Sequence, residues 1–211
     1  GFAEVVATVR IDGRNDAPVA AADAAALDAR TALSIAALAN DDDPDSDDGP
    51  ASLRIVAAQA ASGAEVRFSG QPGEGLVYDS AERFRSLGAD ETATDTVTYT
   101  VADRHGARSS ATVTVTVRGV NDLPTATADA AVATEDAGVV LPALANDTDP
   151  DVHDRLAIVA IDGKPIAPGG QVVLASGALV ALDAAGALSW VAAGRFDGLA
   201  EGEAATDHFR Y

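Results

Sequence analysis

The chain has 211 residues, a formal net charge of −19, 47% apolar residues, only 4% aromatics and no cysteine. That charge excludes the cationic surface that nucleic acid or an anionic membrane requires, and the missing cysteines exclude disulfides, thiolate metal sites and a thiol nucleophile. No apolar stretch reaches the roughly 18 residues of a membrane span, and no signal-peptide pattern opens the chain.

In chain order, Val5, Ala7, Val9 and Ile11 alternate ahead of Gly13 and predict a strand within residues 1–12. Further strands are predicted at 18–23, 32–38, 53–58, 64–69 and 75–79. The Ala-rich stretch 20–39 has helix propensity, but the alternation of Leu33, Ile35 and Ala37 and the flanking prolines favour strand. Val97, Tyr99 and Val101 alternate, as do Val113, Val115 and Val117. The Asp103-Arg104-His105-Gly106 turn between them makes these two a hairpin. Seven short strands separated by turn signals describe an immunoglobulin-like sandwich.

The same pattern occurs twice. Gly13-Arg14-Asn15-Asp16-Ala17-Pro18 returns as Gly119-Val120-Asn121-Asp122-Leu123-Pro124, a shift of 106 (119 − 13). Asp23 returns as Asp129, and Leu38-Ala39-Asn40-Asp41-Asp42-Asp43-Pro44-Asp45 as Leu144-Ala145-Asn146-Asp147-Thr148-Asp149-Pro150-Asp151. Farther on the shift is 112 (195 − 83): Arg83-Phe84 matches Arg195-Phe196, and Tyr99 matches Tyr211. An altered shift within a preserved order indicates loop insertions in a folded unit. The predicted organisation is therefore the last strand of a preceding repeat at 1–12, a complete repeat at 13–118, and a second repeat at 119–211 that lacks its last strand.

The acidic loops carry the chemistry. Residues 40–48 hold six carboxylates, and 146–154 hold Asp147, Asp149, Asp151 and Asp154. Two carboxylates about 5 Å apart repel by roughly 0.8 kcal/mol even at the dielectric of water. A hard divalent cation removes that penalty, and calcium takes about six to eight oxygens from flexible loops. The expected calcium ligands are Asn15, Asp16, Asp23, Asn40, Asp41, Asp43, Asp45 and Asp103 in the first repeat. In the second they are Asn121, Asp122, Asp129, Asn146, Asp147, Asp149 and Asp151. Asp47 and Asp48 taken singly read as solvated turn residues.

Gly-Val-Asn-Asp-x-Pro, then Leu-Ala-Asn-Asp-Thr-Asp-Pro-Asp, then Ala-Thr-Asp-x-Phe-x-Tyr resembles the bacterial cadherin-like repeats, the VCBS-type and related immunoglobulin-like repeats of large RTX-type adhesins. The stretches 93–107 and 111–122 are similar to the same repeats. The resemblance covers essentially the whole chain. It implies an all-β tandem of sandwiches, about seven strands each, rigidified by calcium and acting as structural or adhesive modules of a secreted or cell-surface bacterial protein. Such repeats carry an early acidic pair. Glu135-Asp136 supplies it in the second copy, so the resemblance implies Glu135 and Asp136 as further calcium ligands there, but Ala29 and Arg30 stand at that place in the first.

No catalytic constellation accompanies His105, His153 and His208, so no enzyme is expected. Tyr78 with Trp190 and Phe84 with Phe196 are expected to fill equivalent core positions. The expected partners are neighbouring repeats and a host or matrix ligand, and the alternative function is a glycan- or protein-binding module. The spare strand at 1–12 and the open edge of the second repeat also predict head-to-tail self-association by donor-strand pairing.

Overall fold

The computed structural model describes residues 1–2 and 4–211 and divides into two compact units, 1–121 and 122–211. The first unit contains β1 (Asp23–Asp28), β2 (Ala32–Ile35), β3 (Arg54–Ala60), β4 (Glu65–Phe68), β5 (Leu76–Asp79), β6 (Thr92–Ala102) and β7 (Arg108–Arg118). They form two sheets, ordered β1-β7-β6-β3 and β2-β5-β4. These orders contain five strand pairings, and all are antiparallel except β1 with β7.

The β6–β7 hairpin is the backbone of the first sheet. Val97 pairs with Val113, and Asp95 with Val115. Val97, Tyr99, Val101, Val113, Val115 and Val117 are fully buried, while most of the intervening threonines face outward. Period-two alternation puts the β-branched apolar side chains on one face. Ile55, Leu76 and Tyr78 from β3 and β5, with Leu53 just ahead of β3, complete the core.

Two predicted strands move most. The strand placed at 18–23 begins at Asp23, and Val19 makes only an isolated bridge to Asp42. The strand placed at 32–38 ends at Ile35, because the chain turns there and the Ala39 N–H bonds back to the Ala36 carbonyl. Of the predicted opening strand, Ala3 lies outside the described residues. Residues 4–12 pair with no strand, and Val5, Val9 and Ile11 are exposed.

The second unit contains β8 (Val139–Leu141), a 3₁₀ turn at Ala143–Ala145, β9 (Ala160–Ile161), β10 (Lys164–Pro165), β11 (Gln171–Val173), β12 (Leu179–Leu182) and β13 (Leu188–Val191). Its larger sheet runs β11-β12-β13-β8. The order β8-β13-β12 reproduces β2-β5-β4, and β11 is an added edge strand. Its own core contains Ile161, Val180, Leu182 and Leu188, with Trp190, Phe196, Phe209 and Tyr211 packed against it.

The insertion that changes the repeat shift can be placed. β4 and β12 start 114 residues apart (179 − 65), and β5 and β13 start 112 apart (188 − 76). The segment carrying β10 and β11 therefore adds eight residues, and the following turn is shorter by two.

Candidate functional site

In the first unit the acidic loop closes on the Asn15-Asp16 segment. The Asp45 N–H donates to Asp43 Oδ1 at 2.9 Å, and the Asp16 N–H donates to Asp45 Oδ2 at 2.8 Å. Pro44 stiffens the short Asp-x-Asp arc between them. Asn15 Nδ2 donates to Asp103 Oδ2 at 2.8 Å, which leaves the Asn15 amide oxygen as a spare acceptor.

Asp103 is fully buried at the head of the β6–β7 turn, where its Oδ1 accepts the N–H groups of His105, Gly106 and Ala107. Burial alone would raise its pKa. The Asn15 amide and these backbone donors outweigh burial and hold it below the ordinary carboxylate value. Asp43 is buried as well, and its Oδ2 has no hydrogen-bond partner. A buried carboxylate oxygen left unpaired costs free energy that a bound cation would recover.

The second unit repeats this arrangement. The Asp151 N–H donates to Asp149 Oδ1 at 2.9 Å, and the Asp122 N–H to Asp151 Oδ2 at 2.7 Å. Asp151 is 1% exposed, with Oδ1 buried and unpartnered. Asp149, Asp151 and Asp154 each offer an oxygen within 4.8 Å of the others. Asn121, the counterpart of Asn15, ends the first unit. Glu135 presents a buried, unpartnered Oε2, and its neighbour Asp136 is exposed. At the corresponding place in the first unit Ala29 is buried, and Arg30 turns the chain with φ 62°.

Six of the expected calcium ligands have other bonds. The Tyr99 hydroxyl lies 3.0 Å from Asp41 Oδ1, 3.2 Å from Asp23 Oδ2 and 2.9 Å from the Ala21 carbonyl. The Ala21 N–H donates to Asp41 Oδ1, and Asn40 Nδ2 donates to the Ala22 carbonyl. The same knot recurs in the second unit. There Tyr211 faces Asp129 Oδ2 at 2.7 Å and Asp147 Oδ1 at 3.4 Å, and Asn146 bonds the Ala128 carbonyl. Burial pushes the carboxyl of Asp23 and that of Asp41 up, and raises the Tyr99 phenol too. These residues tie the acidic loop to the core through a tyrosine.

Another paired feature binds loop to core. Asp95 accepts from the Ser62 hydroxyl and from Tyr78 at 2.7 Å, and Asp207 accepts from Ser176 at 2.8 Å and Trp190 Nε1 at 3.0 Å. Tyr78 is fully buried, and Trp190 sits 5.7 Å from Phe196 between ring centroids, so these aromatics are core residues.

Reading Asp48 singly as a solvated turn residue does not survive, because its side chain is 0% exposed. The signal that would have identified it is the shift: Asp154 stands 106 residues after Asp48.

Residues 15–119 match the family model of the bacterial cadherin-like domain, and residues 121–211 match that of the bacterial Ig domain. No curated protein matches the chain. Among solved structures, a nucleoside hydrolase-related hypothetical protein from Saccharophagus degradans, described as associated with carbohydrate metabolism, is 15% identical. The match covers 50% of this chain and 26% of that one, with a TM-score of 0.32, so the chain spans about a quarter of that protein's length. The two family matches, the all-β architecture and the repeated loop geometry agree: residues 15–119 form a bacterial cadherin-like domain and residues 121–211 a bacterial Ig domain.

Proposed function

We propose that the chain is a calcium-stabilised structural and adhesive repeat module of a bacterial protein working outside the cell or on its surface. The observation that carries this reading is the twice-built Asp-x-Asp loop with a buried, unpartnered carboxylate oxygen in each copy, at Asp43 and at Asp151. In the first unit Asp43, Asp45, Asp103 and the Asn15 amide oxygen would hold the ion. In the second, Asp149, Asp151 and Asp154 would do so, with Asp122 beside them. All are hard oxygen donors, which suits calcium. The ion would supply charge compensation and a cross-link between the acidic loop and the segment entering each unit. Both families are structural repeats, and stiffness with reach is the service such a tandem gives.

Thermal unfolding of the chain in EDTA and in millimolar calcium tests this. A site filled to 100 times its dissociation constant adds about 2.7 kcal/mol, so melting should rise by several degrees. Identical melting in the two buffers would overturn the proposal.

A further inference from the structure

Loop 46–52 and turn 103–106 of the first unit hold a cluster of different chemistry. Asp47, Asp48 and His105 each offer one ligand atom within 4.8 Å of the others, and His105 Nε2 is 3.8 Å from Asp47 Oδ2. The Asp48 side chain is 0% exposed. Its Oδ1 accepts from the Ser52 hydroxyl and from Arg104 Nε, both at 2.9 Å. Its Oδ2 is buried with no hydrogen-bond partner. Arg104 Nη1 lies 3.6 Å from Asp47. The guanidinium thus fixes the Asp48 carboxylate by one oxygen and leaves the other unsatisfied, which is costly inside a protein.

The second unit uses the equivalent residue otherwise. Asp154, 106 residues after Asp48, groups with Asp149 and Asp151, an all-oxygen set. In the first unit Asp48 groups instead with Asp47 and an imidazole. Imidazole is a favoured ligand of zinc and its transition-metal neighbours, whereas calcium takes oxygen. The side chains of Asp47 and His105 are 60% and 54% exposed, so a metal reaches the cluster from solvent and water can complete its coordination.

We propose that Asp47, Asp48 and His105 form a binding site for one divalent cation of the zinc class. This inference does not depend on calcium occupying the Asp-x-Asp loops.

Calorimetric titration of the whole chain with zinc chloride, in buffer saturated with calcium, provides the test. One zinc-binding step is expected. His105→Ala should weaken it by about tenfold or more, while His153→Ala and His208→Ala leave it unchanged. His105→Ala should also keep the full calcium-dependent rise in melting, which separates this site from the calcium reading. Absence of zinc binding would overturn the proposal. So would equal affinity in His105→Ala, or displacement of zinc by excess calcium.

Discussion

Asp95 and Asp41 are both buried carboxylates, yet their surroundings drive them in opposite directions. Burial pushes Asp95 up, but the Ser62 hydroxyl, the Tyr78 phenol and the backbone N–H groups of Ser62 and Thr96 outweigh it and hold the carboxyl below its ordinary value. Its contribution to stability is therefore present above the unfolded pKa and is lost as the pH falls through the folded one. Asp95→Ala would strand the Tyr78 and Ser62 donors, each unpaired buried group costing about 1–3 kcal/mol. Urea denaturation should show a loss of about 2–4 kcal/mol, and a loss below about 0.5 kcal/mol would contradict this account. For Asp41, burial wins over the Ala21 N–H and Tyr99, and the pKa is raised. The sign reverses: its contribution is fully present below the unfolded pKa and fades as the pH rises through the folded one. In EDTA, Asp41→Asn should remove part of the stability that the parent chain gains between neutral and mildly acidic pH. Parallel melting curves for the two proteins across that range would count against it.

At the scale of elements, equivalent residues do not always meet equivalent surroundings. Gly13 and Gly119 are 106 residues apart in the same motif, yet a Cβ on Gly13 would meet nothing within 4 Å. A Cβ on Gly119 would overlap the Gly88 carbonyl oxygen and approach the Leu87 carbonyl oxygen at 2.7 Å, because the Gly119 N–H bonds the Glu91 carbonyl. Gly119→Ala should destabilise the first unit by about 1–3 kcal/mol, the usual cost of overpacking, whereas Gly13→Ala should change stability by less than about 0.5 kcal/mol. Equal losses in denaturant titrations would refute the asymmetry. The same locality governs what could be read in advance. β6 and β7 were legible because Val alternates with Thr, a strong contrast at period two. β1 was misplaced because Asp-Ala-Ala-Ala-Leu-Asp has almost no contrast, and its position is set by parallel pairing with β7, ninety residues away in sequence (113 − 23). The acidic loops were legible as a repeated cluster. Their division of labour was not: which aspartates cap Tyr99 or Tyr211, and which flank Asn15 or Asp122, depends on contacts made only in the folded units.

The whole molecule carries −19 charges and two separate cores, and these facts make distinguishable predictions. Generalised repulsion among surface carboxylates is relieved by any salt, since the Debye length shrinks to about 8 Å at 0.15 M. A built site responds instead to one ion at millimolar concentration, saturates, and acts on the unit that contains it. Asp43 belongs to the first unit's loop and Asp151 to the second's, and each unit has a core of its own. At constant ionic strength, calcium should therefore raise the melting of both units. Magnesium should raise it less, because it demands a near-octahedral shell and surrenders water reluctantly. Asp43→Asn with Asp45→Asn should abolish the calcium response of the first unit while the second keeps its own, and Asp149→Asn with Asp151→Asn should do the reverse. Differential scanning calorimetry resolves these as two transitions moving independently. If either double substitution removed the calcium response of both transitions, or if sodium chloride reproduced the calcium shift, the ion would be acting on the net charge of the molecule and not at these loops.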